Sequence, residues 1–180
     1  MLIETLIVLA VLVGILVIIV SLRPVDFRIK RSATIPAPPN VVFQRVNDFH
    51  LWQAWSPWAR LDPNCKNSFE GAAAGAGAMF AWSGNKKVGE GRMAIVESKP
   101  GEYIRLNLDF VKPFEGHCVT EFTFKPESGG TLMTWTMTGK NNFVARAVTL
   151  VMNCDKMIGG QFEQGLANLK EVVEAAAKQT

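Results

Sequence analysis

The stretch EYIRLNLDFV, residues 102–111, alternates without a break: Ile104, Leu106, Leu108 and Phe110 take one face, Arg105, Asn107 and Asp109 the other. A period of two is the signature of a strand with one dry and one wet face. The pattern recurs. In HCVTEFTFKPES (117–128) Phe122 and Phe124 oppose Glu121, Thr123 and Lys125, and in GTLMTWTMTGK (130–140) Met133, Trp135 and Met137 oppose Thr134, Thr136 and Thr138. NSFEG (67–71), AMFAWSG (78–84) and KVGEGRMAIVESK (87–99) extend the series upstream, with Gly- and Pro-bearing turns between most of the segments. Strands joined this way form an antiparallel meander. Its dry face has to be covered by something else in the chain.

The cover is legible at the C-terminus. Ile158, Phe162, Leu166, Leu169 and Val173 recur at helical spacing, with Lys, Glu and Gln around the back. The preceding NNFVARAVTLVMNCDKM (141–157) is also helix-compatible, and Gly159-Gly160 between the two permits a kink or a close approach to the sheet. Upstream of the meander, DFRIKRSATI (26–35) reads as a first strand. PAPP (36–39) then interrupts it, and Val42, Val46 and Phe49 mark a short amphipathic helix ending near His50. This order predicts an α+β fold, with a curved antiparallel sheet wrapped around a long C-terminal helix. Short helices over 38–61 roof the space between them, and a concave, mostly apolar space suits an apolar ligand.

Ahead of this domain, TLIVLAVLVGILVIIVSL (5–22) carries no charge. At about 1.5 Å per residue such a helix approaches the ~30 Å of a bilayer's hydrocarbon core. A signal peptide would have a basic start and a small-x-small cleavage site, whereas here Glu4 is the only early charge and Ser-Leu-Arg-Pro follows. The reading is therefore a transmembrane anchor over 1–23 and a domain over 24–180. Arg23, Arg28, Lys30 and Arg31 follow the run directly. The positive-inside rule then predicts a single-pass protein of the cell (inner) membrane with its domain in the cytoplasm. Cys65, Cys118 and Cys154 are odd in number and widely spaced, which predicts reduced, mostly buried thiols. The net charge of +3 is small, and beyond the juxtamembrane cluster no basic stripe is interleaved with aromatics, which excludes nucleic acid as a partner.

WQAWSPW, residues 52–58, places three of the five tryptophans in one window. Pro57 forces Ser56 out of helical angles, and Ser-Pro suits an N-cap followed by N1. Two helical turns joined at Ser56 are expected, closed by Asp62-Pro63. Trp52 and Trp55 can then both face the sheet, while Trp58 is freer to line a mouth.

WxxWSPWxxxDP (52–63), Trp-x-Gly (82–84) and MNCDKMIGGQFEQGLANLK (152–170) together carry a resemblance. The chain resembles the SRPBCC or START-like helix-grip superfamily, and within it the bacterial polyketide cyclase/dehydrase and lipid transport family in its version with an N-terminal membrane anchor. The resemblance covers roughly residues 25–178. It implies a pocket for hydrophobic small molecules and leaves chemistry open, since one fold hosts binders, transporters and enzymes.

Catalytic signatures are few. There is no G-x-S-x-G, P-loop or H-E-x-x-H, and His50 and His117 stand at no ligand spacing, so neither a metal nor a cofactor is expected. GAAAGAGA (71–78) fits a flexible hairpin connection better than a phosphate loop. A cyclase or dehydratase would need an acid or base in the pocket, for which Glu90, Glu121 and His117 are the candidates. The candidate ligand-binding residues are Trp52, Trp55, Trp58, Phe80, Trp82, Phe122 and Trp135, with core packing as the competing role. The leading expectation is a membrane-anchored module that binds a hydrophobic small molecule or lipid without catalysis. The alternatives are an enzyme on a polyketide-like substrate, or a partner-binding module with a closed cavity. Oligomeric state is not legible.

Overall fold

Seven strands pair antiparallel throughout, in the spatial order β1-β7-β6-β5-β4-β3-β2, in the computed structural model, which describes residues 1–178. They are β1 (Asp26–Ile35), β2 (Lys66–Gly71), β3 (Ala78–Ser83), β4 (Glu90–Lys99), β5 (Tyr103–Lys112), β6 (Gly116–Glu127) and β7 (Gly130–Lys140). Helix α1 (Leu2–Ser21) precedes the sheet, α2 (Pro39–Asn47) follows β1, and α3 (Phe143–Val148) and α4 (Cys154–Ala177) close the chain. This is the α+β helix-grip architecture that the resemblance implies, and its strands are the ones the alternation marks.

Register aligns the dry positions across the sheet. Ile104 sits opposite Phe122, Phe122 opposite Trp135, and Ile29 opposite Met137. The apolar stripe of α4 lies on this concave face, burying Phe162, Leu166, Leu169 and Val173. Together these side chains form one continuous core. α4 packs chiefly on β1 and on the turn at 57–60, near one side of the sheet.

Several local expectations need correction. α2 ends at Asn47, because Asp48 starts a separate 3₁₀ turn over Phe49–Ala54, its carboxylate accepting from the His50 amide. The break at Ser56 is real, but the second turn, Pro57–Arg60, is also 3₁₀, and the Ser56 side chain makes no capping bond. Residues 141–157 do not form one helix. α3 is capped by Asn142 and stops at Val148, and Asn153 caps a new start by accepting from the Lys156 amide at 2.9 Å. Gly159-Gly160 consequently lies inside α4. The missing side chain at Gly159 is what lets Arg31 lie across the helix, where it bonds Asp155 and Glu163.

The glycine-rich connection 71–78 is a hairpin turn, yet it is tied down. Gly75 N–H donates to the Asn47 carbonyl and Gly77 N–H to that of Ile95, both at 2.9 Å. α1 is long and apolar enough to cross a membrane, and nearly all of its surface is uncovered by the rest of the chain.

Candidate functional site

The tryptophan corner is built on the end of α2. Helix ends leave carbonyls without intrahelical partners. Here the indoles supply them: Trp52 Nε1 donates to the Val46 carbonyl at 2.9 Å and Trp55 Nε1 to that of Arg45 at 3.1 Å. The Trp55 carbonyl accepts from Asn168 Nδ2 of α4 at 3.1 Å, so the corner is also bonded to the covering helix. Asn168 is buried, and it lies just off the apolar repeat that located the helix.

From this corner an aromatic cluster runs across the concave face. Trp55 meets Trp52 at 4.9 Å and Trp135 at 5.8 Å between ring centroids. Phe122 meets Trp135 at 5.1 Å, and Trp135 lies flat on Phe162 of α4 at 4.1 Å. Trp52, Trp55, Phe122 and Trp135 are all buried, and their rings occupy the space between sheet and helix. Trp58, half-buried, leans edge-on against both Trp135 and Phe162. One polar atom in this wall lacks a partner: the Trp135 Nε1–H is buried with no acceptor among the described residues.

Toward β3–β5 the same face is less covered. Phe80, Trp82, Met93, Leu108 and Phe110 pack against the core but remain half-exposed. Phe69, Phe80 and Trp82 follow one another as tilted plates, and His50 stacks on Phe69 at 4.2 Å. Trp82 can lie flat over β4 because Gly91 faces it; a Cβ there would collide with the indole and with the Asp109 carbonyl. Phe80, Trp82 and Trp58 are the sequence-predicted site residues that keep exposed ring surface. Met93, Leu108 and Phe110 join them, and their alternation with polar neighbours was the available signal.

The candidate acids and bases lie elsewhere. Glu121 accepts from the Tyr103 hydroxyl, His117 Nδ1 bonds Asp109, and Glu90 bonds Lys112 and Ser83. Register puts Glu121 and His117 opposite Arg105 and Asp109, on the face turned away from the aromatic cluster, and Glu90 opposite Ser83, which alternates with the inward Trp82. The three candidates for an acid or base in the pocket thus lie away from the aromatic cluster, and His117 lines only a marginal concavity at the β5–β6 hairpin. The bond from His117 holds the Asp109 carboxyl below its usual range, and the Lys112 ammonium does the same for Glu90. On the concave face, burial pushes the Cys118 thiol up to about 11. Cys65 and Cys154 are half-buried, and all three cysteines are free. Among the described residues no group of three or more His, Cys, Asp or Glu could hold a metal.

Two open concavities lie at the margins. One of about 570 Å³ sits between the start of β1 and the N-terminal end of α4, lined by Phe27, Arg28, Ile29, Asn141, residues 149–155 and Ile158. The other, about 450 Å³, is at the β5–β6 hairpin beside Arg92, Asp109 and His117.

Residues 26–174 match the family described as polyketide cyclase / dehydrase and lipid transport. Solved structures of the same fold include a Mesorhizobium loti protein, 18% identical, TM-score 0.61, covering 83% of this chain and 98% of its own. A Chromobacterium violaceum protein is 20% identical, TM-score 0.59, over 84% of this chain and 99% of its own. A protein in the dynemicin biosynthetic locus is 13% identical, TM-score 0.56, over 83% of this chain and 48% of its own. No curated protein sequence matches.

Proposed function

The chain belongs to the polyketide cyclase / dehydrase and lipid transport family, and from that premise we propose that it is a membrane-anchored module binding a hydrophobic small molecule or lipid. The proposed anchor is residues 1–23, holding a binding domain of residues 24–180 on the cytoplasmic side of the cell membrane. The observation that carries the reading is the half-exposed apolar shelf of Trp58, Phe80, Trp82, Met93, Leu108 and Phe110 on the concave face. Monomeric proteins seldom leave aromatic surface open in a concave setting without a use for it.

In this reading Trp58, Phe80 and Trp82 touch the ligand, and Trp52, Trp55, Phe122 and Trp135 form the wall behind them. The Trp135 N–H supports the assignment, because a buried donor without an acceptor is costly and a ligand oxygen would satisfy it. An enzymatic role on the same shelf would require an acid or base facing it, and Glu90, Glu121 and His117 do not.

Native mass spectrometry of the full chain released from mild detergent tests the proposal. A co-purifying apolar species is expected, displaced by a fluorescent fatty acid whose emission then rises. Protein that is uniformly empty and leaves the probe unbound sinks the reading.

A further inference from the structure

α3 is six residues long and its apolar surface is poorly covered. Phe143, Val144, Val151 and Met152 are exposed, Val151 at 86%. Four solvent-facing apolar side chains within ten residues would be a liability on a wholly aqueous surface. Their position relative to α1 gives them a use. α3 packs on the last turn of α1, where Val20 is 1% exposed, and Arg146 Nη1 donates to the Ser21 carbonyl at 3.1 Å. From Leu2 to Val20 a helix rises roughly 27 Å, close to the thickness of the hydrocarbon core. An element bonded to Ser21 therefore lies at the headgroup level of any bilayer that α1 crosses.

Charge agrees with that depth. Arg23 and Arg28 flank the exit of α1, and Lys140 stands beside them, paired across β1 and β7 with Asp26. Arg146 itself sits over the Phe143 ring at 5.7 Å. Apolar side chains ringed by cations fit an anionic lipid surface. The chain leaving α3 also lines the 570 Å³ concavity, through residues 149–153, so the mouth of that space opens beside the same surface.

We propose that α3 and the turn 149–153 form a second membrane-binding element, seated in the headgroup region of an anionic bilayer and holding the mouth of the 570 Å³ concavity against the lipid. The inference rests on α1 spanning the bilayer.

The test uses the full chain in nanodiscs of phosphatidylcholine, with or without phosphatidylglycerol. Cys65 and Cys154 are replaced by serine, and the buried Cys118 is left in place. A nitroxide is placed in turn at Val151→Cys, at Leu12→Cys in mid-α1, and at Val96→Cys on β4. In the anionic discs Val151→Cys should fall between the two controls: more accessible to lipid-dissolved oxygen and better shielded from an aqueous nickel complex than Val96→Cys, and shallower than the fully immersed Leu12→Cys. The shielding should weaken in neutral discs and at high salt. A Val151→Cys label that behaves like Val96→Cys while Leu12→Cys is immersed overturns the second element and leaves the anchor standing. An aqueous Leu12→Cys label overturns the anchor, and this inference with it. Equal immersion in neutral and anionic discs overturns the anionic partner.

Discussion

The indole of Trp135 lies on the ring of Phe162 with centroids 4.1 Å apart and planes 8° from parallel. This contact joins β7, the strand beside the edge strand β1, to the first half of α4. It is possible because the next turn of the helix carries no side chain where the indole passes.

That residue is Gly165, whose added Cβ would lie 2.9 Å from Trp135 Cζ3 and 3.1 Å from Pro57 Cδ. Alanine in a helix interior gains about 1 kcal/mol over glycine, while overpacking a rigid ring costs about 1–3 kcal/mol. Crowding should win. Gly165→Ala is expected to lower the thermal midpoint by about 2–6 °C for a domain of this size. Gly160→Ala, with nothing within 4 Å of its Cβ, should raise it slightly. A stabilised Gly165→Ala would show that the indole slides freely on Phe162.

Most of the fold was legible because two periods carried it. Alternation fixed which residues of β5, β6 and β7 point inward, and the spacing from Ile158 to Val173 located α4. What escaped depends on contacts distant in sequence. Gly159-Gly160 looks like a helix break until Arg31, more than a hundred residues upstream, is seen to occupy the space above Gly159. The outward direction of His117 follows from the parity set by Phe122 and Phe124. That of Glu90 is harder, because β4 carries register irregularities at Glu90/Gly91 and Ile95/Glu97. Of the candidate site, Trp58, Phe80 and Trp82 were readable as large rings on a concave face. How far α4 leaves them uncovered depends on sheet curvature, which no local pattern encodes.

The convex face predicts an acid-side loss of stability. Asp109 is held below its normal pKa first by the hydrogen bond to His117 and then by Arg92. A carboxyl depressed in the folded state contributes stability above its unfolded pKa of about 3.9, and loses it as pH falls through the folded value. The carboxylate is partly exposed, so the contribution is about 0.5–1 kcal/mol at most. Asp109→Asn should lower the thermal midpoint at neutral pH, and the difference should shrink as acid protonates the Asp109 carboxyl of the folded parent. A constant difference across the titration would mean that the substitution acts through packing.

Thiol reactivity offers a separate check on the concave face. Cys118 is buried and its thiol is raised to about 11, so very little thiolate exists at pH 8. In the folded protein Cys118 should resist iodoacetamide, and it should react once denaturant is added. Peptide mapping reads the site directly. Rapid native alkylation of Cys118 would mean that the sheet opens near β6 far more often than its burial implies.

Trp55 and Trp58 separate clamp from ligand wall. Trp55 is 1% exposed, bonds Arg45 through its indole and touches Trp52 and Trp135. Removing so large a buried side chain costs about 3–5 kcal/mol. Trp58 is half-buried and its ring only leans on Trp135 and Phe162, so Trp58→Ala should cost about 1–2 kcal/mol. If the shelf holds a ligand, the order reverses for binding. Trp58→Ala should weaken displacement of a fluorescent fatty acid roughly tenfold, as expected for losing about 1.4 kcal/mol of contact. Trp55→Phe, which keeps a ring in the core, should leave binding nearly unchanged while lowering the thermal midpoint. Loss of binding in step with loss of stability in both variants would make the whole window a clamp, with no direct part in holding a ligand.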